Sequence, residues 1–394
     1  MSGAAFDFET VVDRRGTWCT QWDYVADRFG VADLLPFTIS DMDLPTAPAV
    51  MDALRARLEH PILGYSRWRT EDFLSAVEHW YRQRHHTDID RAWITYAPSV
   101  IYQVARLIGL WSQPGEGVVV HTPCYDAFPK TVAASGRHLR RVAMGDWAAL
   151  ETELSRPENS VLLLCSPHNP TGHVWTEAEL IRIGQLCARE RVAVISDEIH
   201  ADLTHPPNRH LVFARIAAAL PDPPRWAVVT SASKSFNIPA LTGSYGLIAD
   251  ETSRQAYLAA LSGDGLSSPA VLALVATIAA YRQGAPWLDA LRGYLWDNLV
   301  LVQQRLNVAF PELGWQPPQA GYLAWIDISV LGIDDDALQD DLIGTEKLAI
   351  MPGATYGAAR HLRLNVGCPR SKVERGLDGL IRALDRLAER GRHE

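Results

Sequence analysis

Ser231-Ala232-Ser233-Lys234-Ser235-Phe236-Asn237 sets a lysine among small hydroxyl residues, just after the apolar run Trp226-Ala227-Val228-Val229-Thr230. That run reads as a buried strand, so Lys234 lies just past a strand end. Only four of the 37 basic residues are lysines: Lys130, Lys234, Lys347 and Lys372. Where positive charge alone is needed, this chain uses arginine. A lysine at a strand end therefore points to amine chemistry. An ammonium can lose its proton and attack a carbonyl, which a guanidinium cannot.

Other residues able to do chemistry stand at neighbouring strand ends. Asn169 lies in Ser166-Pro167-His168-Asn169-Pro170-Thr171-Gly172, after the apolar 161–165 run. Asp197 closes the 192–196 run, with His200 three residues on. Tyr125 follows the 118–123 run, and Ser99, Val100 and Ile101 open a helix after Trp93–Tyr96. Arg363 lies inside the apolar segment 361–365.

These residues meet the needs of pyridoxal phosphate (PLP) carried on Lys234. The free amides of Ser99, Val100 and Ile101 at a helix start suit a phosphate, and the Ser231 and Ser233 hydroxyls can add donors. Asp197 can pair with the ring nitrogen, Tyr125 can cover the ring face and Asn169 can donate to the ring oxygen. Arg363 offers a fork for a substrate carboxylate. Each residue also has an ordinary role open to it. Asp197 could be a helix cap, Asn169 a turn residue, Tyr125 core, His200 a satisfied buried histidine and Arg363 a surface charge. The convergence of the set at one sheet edge favours the chemical reading.

The elements that must position them follow from the apolar pattern. Continuous apolar strands at 93–96, 118–123, 161–165, 192–196, 226–230 and 245–249 alternate with helices, among them 177–190. Such strands are buried on both faces, as in a mostly parallel sheet covered by helices, and ligands bind beyond their carboxyl ends. Upstream, helices are expected over 47–60 and 73–84, and an extended segment over 36–45. Helices fill 252–309, and a smaller α+β unit follows, with strands at 322–327 and 361–365 and helices near 336–347 and from 371. The expected division is 1–50 with the small domain, 51–285 as the large PLP-binding domain and 286–394 as the small domain.

At 394 residues the chain is long enough for two domains. It is 47% hydrophobic and 21% charged, with a formal net charge of −9 and no basic stripe, which argues against nucleic acid. No apolar run is long enough for a bilayer, and Arg14-Arg15 precedes no signal-peptide core. Five widely spaced cysteines without a C-x-x-C fit reduced thiols in the cytoplasm. The thirteen histidines form no H-E-x-x-H, and no metal is expected.

The four motifs 166–172, Ser196-Asp197-Glu198-Ile199-His200, 231–237 and Arg363-Leu364-Asn365-Val366-Gly367-Cys368-Pro369 resemble the fold-type I PLP enzymes of the class I/II aminotransferase superfamily. Phe37–Asp43, Gly64-Tyr65-Ser66-Arg67-Trp68 and the histidine at 200 narrow the resemblance to its cystathionine β-lyase branch. It spans nearly the whole chain and implies an α/β PLP-dependent transferase fold. The implied activity is a carbon–sulfur β-lyase, taking an amino-acid thioether such as L-cystathionine to a thiol, pyruvate and ammonia. It also implies catalytic roles for Lys234 and Tyr65, a cofactor contact for His200, and substrate contacts for Arg363, Asn169 and Tyr65. A homodimer with shared active sites is implied, with Tyr65 crossing to the neighbour's phosphate. An arginine common in aminotransferases eight residues past the lysine is Thr242 here, which makes a phosphate donor from elsewhere more needed. Two rivals remain: an aminotransferase, and a regulatory protein of the same fold that captures a transcription activator.

Overall fold

The computed structural model describes residues 6–391. Contacts divide them into two units. One comprises Thr46–Asn169 and His173–Leu288; the other comprises the chain up to Pro45, Pro170–Gly172 and Asp289 onward.

The first unit is built on seven strands: β2 (Ile94–Ala97), β3 (Gly117–Thr122), β4 (His138–Ala143), β5 (Asn159–Cys165), β6 (Ala193–Asp197), β7 (Trp226–Thr230) and β8 (Ser244–Ile248). Their order is β2-β8-β7-β6-β5-β3-β4. β4, β3, β5, β6 and β7 pair in parallel, and β8 pairs antiparallel with both β7 and β2. β2 therefore runs with the parallel set, and the carboxyl ends of β2, β3, β5, β6 and β7 share one edge. The apolar runs explain this placement. Every residue of β2, β6, β7 and β8 is buried, as two-sided helix cover demands.

Helix starts carry the expected signals. Ser99 caps Val100–Trp111 by accepting from the Tyr102 amide at 3.1 Å. Thr176 and Glu179 form a reciprocal capping box on Glu177–Glu190. β4 was not anticipated: it is an edge strand whose Arg140 and Arg141 interrupt the apolar run. An edge strand needs no apolar face on both sides.

The second unit holds a four-stranded sheet of β1 (Leu35–Phe37), β9 (Leu323–Asp327), β10 (Leu348–Pro352) and β11 (His361–Asn365), in the order β1-β10-β11-β9. β10 was also not anticipated. Its five residues end in Pro352-Gly353, and only pairing with β1 and β11 makes them a strand. Helices Val25–Phe29, Asp335–Gly344 and Arg370–Gly391, and the part of Ala285–Ala309 from Asp289 onward, belong to the same unit.

The segment after β1 forms no regular ladder, so side chains satisfy its carbonyls. Arg363 Nη2 donates to the Thr38 carbonyl at 2.9 Å, Tyr322 Oη to Ser40 at 2.9 Å and Asn365 Nδ2 to Asp41 at 2.7 Å. Asp43 ends the strap in a buried ion cluster. Arg14 bridges Asp41 and Asp43 at 2.7 and 2.8 Å, Trp22 Nε1 donates to Asp43 at 3.0 Å, and Lys372 pairs with Asp43 directly. Burial would push the Asp43 carboxyl up, but Lys372 and the converging donors hold it below its ordinary value. So Lys372, one of the four lysines, serves as a buried counter-ion.

Candidate active site

Lys234 sits in a single helical turn just past β7. The Phe236 amide bonds to the Ala232 carbonyl at 3.0 Å, and the Ile238 amide to that of Ser233 at 3.0 Å. Asn237 ends the turn in a left-handed conformation, φ 53°, which asparagine tolerates better than most residues. Its carbonyl accepts from Thr46 Oγ1 at 3.1 Å. At the other end Ser231 Oγ donates to the Gly243 carbonyl at 2.8 Å and accepts from the Ser233 amide at 3.1 Å. Ser231 thus spends its proton fastening the turn, while Ser233 stays half-buried beside Lys234.

Asp197 is the last residue of β6 and is buried. Burial pushes its carboxyl up to about 7, against the Ile199 amide, and the nearby Glu198 charge adds to the rise. The Lys234 charge opposes the rise, so the two residues sense each other. A carboxyl so placed ionises at neutral pH once a further cation arrives.

Asn169 and His200 are both buried on this edge. The Asn169 amide contacts Cys165 Sγ at 3.4 Å, and the Ser166 amide donates to the Asp197 carbonyl at 2.8 Å, which ties the ends of β5 and β6 together. Tyr125 lies past β3, half-buried and edge-to-face with Phe128 at 5.5 Å. The amides of Val100 and Ile101 belong to the first turn of the Val100–Trp111 helix, which leaves such groups without an internal acceptor. Ser99, at the carboxyl end of β2, already accepts from Tyr102. So Ser99, Val100, Ile101, Tyr125, Asn169, Asp197, His200, Ser231, Ser233 and Lys234 all belong to the first unit, at or just beyond the carboxyl ends of β2, β3, β5, β6 and β7. Tyr65 is on the same unit but fully exposed, in a loop whose Ser66 Oγ donates to the Pro269 carbonyl at 2.7 Å.

Arg363 belongs to the second unit. It is buried in β11, bonds to the Thr38 carbonyl, and holds its guanidinium 4.3 Å from the Tyr356 ring centroid. That cation–π contact fixes the plane of its fork.

Behind the strand ends lies a polar layer that sequence reasoning missed. Glu198, buried, accepts from Ser196 Oγ at 2.9 Å and the Phe213 amide at 2.8 Å, and meets His210 Nε2 at 2.9 Å. Asp202 forms a second such centre. The only local signal was a run of acids beside Asp197, with nothing in it to name their distant partners. All five cysteines are buried and free of disulfides. No helix among the described residues is long and apolar enough to cross a membrane.

Residues 32–380 match the family described as aminotransferase class I and II. The chain belongs to this family. It is 57% identical to Protein MalY of Escherichia coli (strain K12), across 96% of this chain and 99% of that protein. It is 35% identical to the cystathionine beta-lyase PatB of Bacillus subtilis (strain 168), across 96% of this chain and all of that protein. Among solved structures, cystalysin from Treponema denticola, which contains a pyridoxal 5′-phosphate cofactor, superposes with a TM-score of 0.91 at 28% identity, covering 97% of this chain and 99% of that one. The mostly parallel α/β sheet expected from the strand pattern, and the aminotransferase fold implied by the motif resemblance, are thus the ones found.

The Asp197 environment has a measurable consequence in the cofactor-free protein. Its folded value of about 7 lies above the ordinary 3.8, so the folded chain keeps a proton that the unfolded chain releases. Between those values its contribution to stability falls as pH rises. Asp197→Asn removes that fall: the variant should match wild type at about pH 4 and exceed it at about pH 8 by on the order of a few kcal/mol. Calorimetric melting across that range checks it, and a difference that does not grow with pH would count against the assignment.

Proposed function

We propose that this chain is a PLP-dependent carbon–sulfur β-lyase that converts L-cystathionine and related cysteine S-conjugates to a thiol, pyruvate and ammonia. The observation that carries the reading is the buried Asp197 carboxyl facing the Lys234 charge at one sheet edge. A protonated pyridine nitrogen is the cation that this carboxyl lacks, so the residues present fit the cofactor. When bound, PLP supplies an electron sink for charge developing at the substrate Cα.

The chain's own groups do the rest. The Lys234 amine would hold the cofactor and, once free, would take the substrate Cα proton. Asp197 would keep the ring nitrogen protonated, Asn169 would donate to the ring oxygen, and Tyr125 and His200 would pack about the ring. The Val100 and Ile101 amides, with Ser99 and Ser233, would hold the phosphate at the positive end of their helix, and Ser231 would support them through the turn. The Arg363 fork takes the α-carboxylate. Release of sulfur needs little help, because a thiol with a pKa of roughly 8.5 leaves as thiolate far more readily than an alkoxide would. The relatives named cystathionine beta-lyase and cystalysin support this reading over transamination.

Purified protein given L-cystathionine should form pyruvate and free thiol without any added keto acid. Borohydride reduction should attach PLP to the peptide containing Lys234. Faster turnover of alanine or aspartate with 2-oxoglutarate than of cystathionine would establish the aminotransferase instead.

Arg363→Lys should lose about 2–5 kcal/mol of kcat/KM for cystathionine, because one ammonium cannot reproduce the planar fork. Steady-state kinetics decide it, and wild-type kcat/KM in the variant excludes the carboxylate role.

We further propose a two-fold dimer in which each Tyr65 serves the partner's phosphate, which accounts for a tyrosine fully exposed on its own chain. Subunits carrying Lys234→Ala and Tyr65→Ala, each nearly inactive alone, are mixed under exchange. If Tyr65 acts across the interface, one site per mixed dimer is intact and about half the wild-type activity returns. No recovery after confirmed exchange means that Tyr65 acts within its own chain.

A further inference from the structure

Asp202 lies on the one-turn 3₁₀ helix Ala201–Leu203, shortly past Asp197, and is buried. Three side chains converge on its carboxylate. Trp80 Nε1 donates to Oδ1 at 3.0 Å, His85 Nε2 lies 3.0 Å from the same oxygen, and Ser235 Oγ donates to Oδ2 at 2.7 Å. Burial pushes the Asp202 carboxyl up, but His85 and Ser235 hold it below its ordinary value, so it is a charged acceptor. A hydrogen bond to a charged acceptor is stronger than a neutral one. Ser235 is fully buried and adjoins Lys234.

The geometry of the turn shows what this bond does. The pairing of Asp197 with Val229 sets β6 against β7 to within one residue of the end of β7 at Thr230. Past Thr230 the ladder ends, and Lys234 lies four residues beyond it. The Ser231 and Asn237 bonds fasten the two ends of the turn. Ser235 supplies the link from its middle, and that link runs back to the segment following Asp197. Trp80 closes the arrangement: its ring stacks on Tyr281 at 4.8 Å and 7°, and leans on Phe236 at 5.7 Å and 60°. The indole that donates to Asp202 therefore also walls the turn at the residue after Ser235.

We propose that Asp202 is a positioning residue for the reactive lysine: its hydrogen bond to Ser235 holds the Lys234 turn at a set distance from Asp197. This rests on the function proposed above. There Asp197 and Lys234 engage opposite ends of one rigid ring, so their separation must match it. The strand ladder sets one end of that span, and the Asp202–Ser235 bond sets the other. Asp202 itself touches neither substrate nor cofactor.

The test uses the PLP-loaded enzyme and its Ser235→Ala variant, which cuts the link and leaves Asp202 with Trp80 and His85. Misplacement of a reacting group should lower kcat by about 10- to 100-fold, with KM for L-cystathionine little changed. Hydroxylamine should also strip the cofactor faster, read as decay of its visible absorption. Should Ser235→Ala not fold, Ser235→Cys, a similar volume with a weaker donor, is expected to show the same changes at smaller size. The inference is overturned if kcat per bound cofactor and the stripping rate match wild type, including when the melting temperature alone falls. Borohydride mapping of the wild type separates the two proposals. An unlabelled Lys234 removes the function and this inference together, whereas a labelled Lys234 with an unaffected variant removes only the inference.

Discussion

A carboxyl group at the buried end of a central strand is the constraint on which this arrangement depends. Asp197 is surrounded by apolar strands and by the acid Glu198, so it holds its proton to a higher pH than an exposed carboxyl does. The charge of Lys234 on the neighbouring strand end opposes this in part. The fold thus leaves an electrostatic deficit at this strand end, which is what the proposed pairing with a protonated ring nitrogen would offset. The layer behind Asp197 shows the opposite treatment. Glu198 and Asp202 are equally buried, but each is supplied with several donors from the protein. Three acids lie within six residues, and the fold leaves the one at the strand end short of charge.

The second unit solves a different problem. Arg363 carries its charge while buried in a strand. It is held by a backbone carbonyl of the Phe37–Asp43 strap and by the face of Tyr356. Tyr322 and Asn365 anchor the same strap from β11 and the residues before β9, and the Arg14, Asp43 and Lys372 cluster locks its end. The irregular strap thus has its carbonyls satisfied by the strand that carries the fork. Backbone order and the orientation of the arginine are coupled here.

Family membership alone does not choose between elimination and transamination, since both begin with a lysine, an acid and a carboxylate fork. The choice rests on the relatives and on what the chain lacks. Thr242 stands where an arginine would add a phosphate charge, and His200 follows Asp197 where aminotransferases usually carry tyrosine. With the cofactor placed as proposed, both would alter the charge and hydrogen bonding around it, the level at which related enzymes on one fold diverge.

Much of this protein was legible in its sequence. Unbroken apolar runs imposed two-sided burial, two-sided burial imposed a mostly parallel sheet, and the sheet imposed a common edge. That is why Asn169, Asp197 and Lys234 could be placed together from local pattern alone. The edge strand β4 was not legible, because Arg140 and Arg141 break its periodicity, nor was β10, whose few residues are a strand only by pairing. Partners far apart in the chain were likewise hidden: Ser235 with Asp202, Ser231 with the Gly243 carbonyl, Arg363 with Tyr356 and Thr38. Side-chain periodicity reports which face of an element is buried. It carries no information about which distant donor will meet a given acceptor, and the raised affinity of Asp197 for a proton exists only once every neighbouring strand has closed around it.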